Sequence, residues 1–222
     1  MLTDEELQDA LDDLMARGWY TNHGPMLAGF EQALDGQWGW AGAAGVCSVA
    51  AGVFLWAAAV EQKTPIWVHP TLPDLRGAAL LHPAPLESPP EGATVLLPAA
   101  LLRSDSPRCQ LGVINASDIG DVDLRAVASM AAAVLIETGT TPQSRSLGAP
   151  GGVVLVRDPL HLQALRTARN HHSNQTFAAV PLRFNSKMSE IQAVAAAVDL
   201  LTAEAARALL RRLSPVQRGP AP

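Results

Sequence analysis

Side chains that can act as nucleophilic amines are few in this sequence of 222 residues. Of its 16 basic residues only two are lysines, Lys63 and Lys187. A lysine amine can form a Schiff base with a carbonyl group, whereas an arginine guanidinium stays protonated and cannot. The two cysteines, Cys47 and Cys109, are too few for a disulfide scaffold or for a zinc site of their own. Chemistry that needs a lysine is therefore confined to two positions.

Histidines stand next to predicted strand ends and in one polar stretch. His69 and His82 each follow an apolar run and precede a proline. Because the carboxyl ends of parallel strands line the ligand crevice of an open α/β sheet, both are candidates by position, with loop capping as the alternative. His171 and His172 are adjacent, so their side chains point to different sides and do not form a ligand pair. No metal site is predicted.

Composition and charge exclude several classes of function. Hydrophobic residues make up 48% and charged residues 17% of the chain, which favours a folded core over disorder. The net charge of −5, without a basic run, argues against nucleic acid or an anionic membrane as a partner. The acidic start, Met1–Glu6, does not resemble a signal peptide, and the sequence predicts a cytoplasmic protein. The uncharged stretch Ala41–Val60 is interpreted as a buried strand, a turn and a helix, because its first half is Gly and Ala and it has no basic flank.

Short apolar runs bounded by Gly or Pro recur between residues 43 and 157. Continuous rather than alternating apolar runs indicate strands that are covered on both faces. Strands of this kind, with helices between some of them, predict an open and mostly parallel sheet in an α/β domain. The seven predicted strands are Ala43–Cys47, Ile66–His69, Ala78–Leu81, Thr94–Leu97, Leu111–Ile114, Ala133–Ile136 and Val153–Val156.

Capping signals and apolar periodicity predict the helices. One begins at Thr3 and ends near Gly18, and another covers Pro25–Leu34. The last helix is predicted from Ser189 to Leu213, and its apolar stripe (Ile191, Val194, Val198 and Leu201) needs a partner surface. A single α/β domain is expected over residues 1–213, with a disordered tail at 214–222. Further helices are predicted over Gly52–Glu61, Asp123–Ala132 and His161–Asn170.

Three segments, in this order along the chain, resemble motifs of the DegT/StrS family of sugar aminotransferases. Arg17–Pro25 (RGWYTNHGP), followed by Phe30-Glu31, is similar to Gly-Trp/Tyr-x-Thr-x-Gly-Pro-x-x-x-x-Phe-Glu. Leu155–Asp158 and the later Arg169-Asn170-His171 are similar to the strand and the Arg-Asn-His that follow the family's cofactor lysine. Phe184–Ala193 (FNSKMSEIQA) resembles Tyr-Asn-x-Arg-Met-Ser-Glu-Leu-Gln-Ala, the most specific of the three.

The resemblance implies a fold and a cofactor. Family members are fold-type I enzymes that use pyridoxal phosphate (PLP), and their large α/β domain carries a seven-stranded sheet. The resemblance covers nearly the whole chain but only that large domain, so the family's small C-terminal domain, which would begin near residue 200, is expected to be absent.

The positions that would serve PLP have changed. Arg145, in Ser144-Arg145-Ser146-Leu147, stands where the family has its Schiff-base lysine. In the phosphate turn Ser48 remains, but Val49 and Ala50 replace the family's glycine and hydroxyl residue. Thr138 replaces the aspartate that faces the pyridine nitrogen, although a shift of one residue would place Glu137 there. The resemblance therefore predicts no PLP in the chain's own site.

The resemblance also suggests a partner. Family sites are built at a dimer interface, where the asparagine that matches Asn185 reaches the partner's PLP phosphate. Asn185 is present, as are Thr21 and Asn22 of the first motif. The sequence thus predicts a catalytically degenerate accessory or scaffold subunit in amino-sugar or natural-product biosynthesis, in a homodimer or in a heterodimer with a full-length relative. The alternative for Asn185 is that it caps the helix that starts near Ser189.

Two other functions stay open. The fold could be repurposed for lysine-independent catalysis or for binding an anionic or sugar-like molecule. The chain could instead be an active PLP-dependent aminotransferase that uses Lys63 or Lys187. The candidate cleft consists of Thr21, Asn22, Ser48, Glu137, Arg145, His171 and Lys187.

Overall fold

Six strands form one sheet in the part of the chain that the structure describes. The computed structural model describes residues 1–18, 20, 24–60, 65–77, 88–106, 109–169 and 186–213. The strand order is β1-β6-β5-β4-β3-β2, in which β2 to β5 are mutually parallel and β6 runs antiparallel to both of its neighbours. The strands are β1 (Gly42–Val46), β2 (Ile66–Val68), β3 (Thr94–Pro98), β4 (Gln110–Asn115), β5 (Ala133–Thr138) and β6 (Gly151–Val156).

The predicted α/β class with a mostly parallel sheet is confirmed. Six of the seven predicted strands are present, each with bounds within two residues of the prediction at either end. The remaining predicted strand, Ala78–Leu81, lies outside the described residues.

Helices cover both faces of the sheet. One face shares its apolar core with five helices, α1 (Asp4–Arg17), α2 (Pro25–Leu34), α4 (Leu124–Met130), α7 (Glu190–Leu200) and α8 (Ala203–Leu213). The other face packs against α3 (Val49–Ala59) and α6 (Pro159–Ala168). The short α5 (Pro142–Arg145) follows β5 and contacts α7. Each face therefore has its own apolar core, and β6 and β5 contribute alternate side chains to the two cores.

The first two helices lie where the sequence places them. Thr3 forms a capping box with Glu6 at the start of α1, and Gly18 ends that helix in the left-handed conformation. Pro25 occupies the first position of α2. An N–H group at that position makes no hydrogen bond within the helix, so proline, which lacks one, is tolerated there. These local signals are sufficient because cap and helix lie within a few residues of each other.

The prediction of a single last helix is wrong. Two helices, α7 and α8, replace it, with a break at Leu201 and Thr202. Leu201 is extended, and the Thr202 side chain accepts a hydrogen bond from the Ala205 N–H (3.2 Å). Threonine thereby caps a new helix, although the apolar stripe continues through the break.

The apolar stripe of α7 is covered by the same chain. Val194 is buried, and the helix packs against α2 and against strands β5 and β6. The expectation that this stripe needs a partner surface is met within the domain. It therefore gives no support to a second chain.

The uncharged stretch 41–60 forms β1, a turn and α3, as interpreted from the sequence. Helix α3 begins at Val49, three residues before the predicted start at Gly52, because Ser48 caps it by accepting a hydrogen bond from the Ala51 N–H (3.1 Å). Among the described helices, none combines the length and the apolar character that crossing a bilayer requires.

Candidate functional site

The backbone register aligns polar residues in one row at the carboxyl end of the sheet. Lys187 pairs with Val46, Val46 with Gly152, Gly152 with Glu137, and Glu137 with Asn115. Directly paired residues in a sheet point to the same face. Val46 belongs to the core beneath α3, so Lys187, Glu137 and Asn115 share the α3 face. We call these five residues the edge row.

The first turn of α3 lies directly over the centre of the edge row. A Cβ atom on Gly152 would approach the Ser48 carbonyl carbon and the Val49 nitrogen to 2.8 Å. Glycine is required there because the backbone of α3 occupies the space of a side chain. The positive end of the α3 dipole thus faces the strand that neighbours Glu137, an arrangement suited to an anionic group.

Adding a methyl group at this contact tests the arrangement. We expect Gly152→Ala to lower the free energy of unfolding by about 1–3 kcal/mol, because the atoms that must move are backbone atoms of α3. Gly120→Ala is the matched control, since nothing lies within 4 Å of a Cβ atom there. Urea denaturation of both variants measures the effect, and equal midpoints would contradict the close approach.

Glu137 and Lys187 lie on the same face of the edge row with three strand spacings between them, and Ser48 lies above Gly152 at the start of α3. Arg145 does not join them. Arg145 is exposed on α5, which contacts α7 on the opposite side of the sheet. Its guanidinium donates a hydrogen bond to the Thr140 carbonyl (2.7 Å). Within the described ranges, none of the ion pairs involves Arg145.

Lys187 is a buried amine at the outer end of the edge row. The residue is 8% exposed, and its segment is fixed to β1 by a hydrogen bond from the Cys47 N–H to the Ser186 carbonyl (2.8 Å). Burial lowers the pKa of Lys187, and the nearby positive charge of Arg169 lowers it further. A lysine of this kind is a better nucleophile near neutral pH than an exposed one.

Four of the predicted site residues, Thr21, Asn22, His171 and Asn185, lie outside the described residues. Lys63 and His82 lie outside them as well. His69, at the end of β2, is half-buried and lies 2.8 Å from the Thr71 hydroxyl through its Nδ1 atom. That local contact favours the loop-capping interpretation of His69.

The polar residues at the end of β4 and directly after it are absent from the predicted site residues. Asn115 neighbours Glu137 in the edge row, and its side-chain amide donates to Asp118 (3.3 Å). The Ser117 N–H donates to the Thr140 hydroxyl (3.1 Å), which links this turn to the loop after β5. The sequence signal that could have found them is the polar run that directly follows the predicted strand Leu111–Ile114.

Two side chains of the third motif form hydrogen bonds with backbone groups of the first motif and of the turn between β1 and α3. Glu190 accepts hydrogen bonds from the N–H groups of Met26 (2.8 Å) and Leu27 (3.1 Å), so it caps α2. The Gln192 amide donates to the carbonyls of Cys47 (3.1 Å) and Pro150 (2.5 Å). Both motif side chains therefore hold backbone segments in place.

The first and second motifs meet in a buried ion pair. Arg169 of α6's carboxyl end forms two hydrogen bonds with the carboxylate of Glu31 in α2, one through Nη1 to Oε1 and one through Nη2 to Oε2 (2.9 Å). Both residues are at most 3% exposed. The pair joins helices on opposite faces of the sheet.

The residues in the positions that match the family's cofactor site do not supply a complete PLP site. The cofactor needs an amine, a carboxylate for its pyridine nitrogen and donors for its phosphate. The start of α3 suits a phosphate, but Arg145 supplies no amine. Thr138, in the predicted aspartate position, is fully buried on the α7 face, and its hydroxyl has no partner among the described residues.

Comparisons with known proteins identify the fold. No family model matches the sequence, and neither does any curated protein sequence. A DegT DnrJ EryC1 StrS aminotransferase from Brucella abortus is similar in structure, with 17% identity, a TM-score of 0.65 and coverage of 94% of this chain and 65% of that one. DesI, solved in the presence of its TDP-sugar product, has 19% identity, a TM-score of 0.62 and coverage of 90% and 58%. Serine palmitoyltransferase from Sphingomonas wittichii has 13% identity, a TM-score of 0.56 and coverage of 96% and 61%.

The chain has the α/β fold of PLP-dependent aminotransferases, which confirms the resemblance at the level of the fold. It spans less than two thirds of the length of these solved structures. Because serine palmitoyltransferase shares the fold, the fold alone does not select a reaction.

Proposed function

We propose that this chain is a catalytically degenerate aminotransferase-like protein that acts as a non-catalytic accessory or scaffold subunit. It serves amino-sugar or natural-product biosynthesis in the cytoplasm, and it pairs with a second copy or with a full-length DegT/StrS relative. The observation that carries the proposal is a division among the motif residues. Those that hold the scaffold are retained, while those that would hold the cofactor are replaced.

The retained residues support the first half of this division. Glu31, Arg169, Glu190 and Gln192 match the family motifs, and each holds together backbone segments that are distant in sequence. Their retention preserves the fold and does not require catalysis.

The replaced residues support the second half. Arg145 is exposed and donates to a backbone carbonyl, and Thr138 faces the opposite side of the sheet from Ser48. Without an amine in the matched segment, covalent catalysis lacks its nucleophile there. In this proposal PLP belongs to the partner subunit, and Asn185 contributes to that subunit's phosphate site.

A two-part experiment tests the proposal. The purified chain is incubated with PLP and borohydride, and peptides that contain Lys63 and Lys187 are examined by mass spectrometry. We expect no reduced adduct on either lysine. The tagged chain is then recovered from its native host, and the mass of the complex is measured. We expect either a homodimer or a 1:1 complex with a full-length relative.

Matched substitutions test the contribution in trans. In a recovered complex, Asn185→Ala should reduce the partner's aminotransferase activity, whereas Asn115→Ala, which removes the same amide at this chain's own edge row, should leave it unchanged. A stable monomer that binds no relative, or a PLP adduct on Lys187 or Lys63, would contradict the proposal. The adduct would instead favour an active aminotransferase.

The edge row favours one alternative function. Lys187, Glu137 and the start of α3 share one face, and together they suit a small anionic or sugar-like ligand. A thermal-shift screen of sugar phosphates and small carboxylates tests this alternative. A stabilising ligand whose effect is lost in Lys187→Met would support it, and no shift for any member would remove it.

A further inference from the structure

Strand β1 lies at the end of the described sheet and has β6 as its strand neighbour. Its backbone groups at Ala43, Gly45 and Cys47 point away from β6. Unpaired groups of this kind on an edge strand are a template for pairing with another chain. In this protein the Ala43 carbonyl, the N–H and carbonyl of Gly45 and the Cys47 N–H form hydrogen bonds with other parts of the same chain.

Charged side chains take the place of a neighbouring strand. Arg166 donates to the Ala43 carbonyl through Nε (3.0 Å) and Nη2 (2.8 Å). Glu31 accepts from the Gly45 N–H (2.6 Å), and Arg169 donates to the Gly45 carbonyl (2.9 Å). We call Glu31, Arg166 and Arg169 the edge clamp. It presents a donor, an acceptor and a donor in sequence along the strand, as a paired strand would.

The rest of the edge is closed by backbone. The Cys47 N–H donates to the Ser186 carbonyl (2.8 Å), and Lys187 forms a bridge with Val46. The edge clamp and this segment therefore divide β1 between them. The clamp covers Ala43 and Gly45, and residues 186 and 187 cover Val46 and the following Cys47.

The clamp holds itself in position from both faces of the sheet. Glu31 comes from α2 on one face, and Arg166 and Arg169 come from the end of α6 on the other. Arg169 pairs with Glu31, and Arg166 pairs with Asp35 (2.7 Å). Because these side chains occupy the outward backbone groups of Ala43 and Gly45, another strand cannot pair with those groups while the clamp is closed.

We propose that the edge clamp acts as a substitute strand that prevents β1 from pairing with β1 of a second copy. Two copies of one edge can pair antiparallel about a two-fold axis, since the same surface then faces itself. The inference does not rest on the proposed function.

Opening the clamp tests the proposal. Arg166→Glu removes the donor to Ala43 and places a carboxylate beside Glu31 and Asp35, and Arg169→Met removes the donor to Gly45. Leu165→Ala is the matched control, because this fully buried residue of the same helix stabilises the domain without a hydrogen bond to β1. Native mass is measured against protein concentration under conditions in which circular dichroism shows each variant folded.

We expect the mass of each clamp variant to rise with concentration to twice that of the wild-type assembly. Hydrogen exchange of the β1 peptide should slow as the mass rises, while Leu165→Ala keeps the wild-type mass. Clamp variants that stay folded at the wild-type mass would overturn the proposal, and so would an equal rise in mass for Leu165→Ala. If Arg169→Met does not fold, Arg166→Glu decides, because Arg166 is partly exposed.

Discussion

Replacing Arg169 with methionine should lower the free energy of unfolding by about 3–5 kcal/mol. The Arg169 side chain is 2% exposed and that of Glu31 is 4% exposed, so the substitution leaves a buried carboxylate without its two hydrogen bonds from Arg169. The Arg166 Nε atom, 3.5 Å from Glu31 Oε2, compensates only in part. The substitution also removes the donor to the Gly45 carbonyl. Burying a charge whose partner has been removed costs far more than losing a solvated ion pair.

Urea denaturation followed by circular dichroism measures this loss. Arg103→Met is the control, because Arg103 pairs with Asp105 at 2.8 Å but both side chains are exposed, and its midpoint should stay at the wild-type value. The double variant Glu31→Gln/Arg169→Met should recover part of the stability, since it removes both buried charges. An Arg169→Met midpoint equal to that of Arg103→Met would show that the buried pair does not stabilise the domain.

Replacing Glu190 with alanine should lower the free energy of unfolding by about 2–3 kcal/mol. Glu190 accepts hydrogen bonds from the Met26 and Leu27 N–H groups, both buried at the start of α2, and alanine leaves them without an acceptor. Glu190→Gln keeps one acceptor oxygen and should lose less. Denaturation midpoints of the two variants at pH 7 measure the difference, and equal losses would contradict the capping role.

Stability should depend on pH through the same residue. Burial raises the pKa of Glu190, and this outweighs the lowering by hydrogen bonds from Leu27 and Met26 and by the charge of Arg17. The folded state therefore keeps this proton to a higher pH than the unfolded state. The contribution of Glu190 to stability falls as pH rises from the ordinary glutamate pKa through the raised one, and this contribution is constant beyond.

Comparison of the wild type with Glu190→Gln isolates this contribution. As pH increases through that interval, the free energy of unfolding of the wild type should decrease relative to that of Glu190→Gln, because glutamine does not titrate. Urea denaturation between pH 4 and pH 7 on both proteins measures it. A difference that stays constant, or that moves in favour of the wild type, would show that the hydrogen bonds outweigh burial.

Most elements could be predicted from the sequence because their causes are local. The capping box at Thr3 and the proline at the start of α2 act within a single turn, and the apolar runs mark strands that are buried on both faces. The break at Thr202 was missed because the apolar stripe and the helix-forming residues continue on both sides of it. A threonine cap then competes with helix continuation, and packing of α8 against α2 favours the break.

The candidate site was predicted only in part. Ser48 and Glu137 were named because they stand in or beside positions that match the family's phosphate turn and aspartate. Their shared face with Lys187 and Asn115 depends on strand order and register, and a shift of one residue would place the same side chains on opposite faces.

The sequence by itself determined the α/β class and the lack of a lysine in the segment that matches the family's Schiff-base position. Only the tertiary structure decided what the retained motif residues do. Arg169 reaches Glu31 across 138 residues, and Glu190 reaches Met26 across 164. Helix and turn preferences act over a few residues, whereas these contacts exist only after the order of the strands has brought α2, α6 and α7 together around β1.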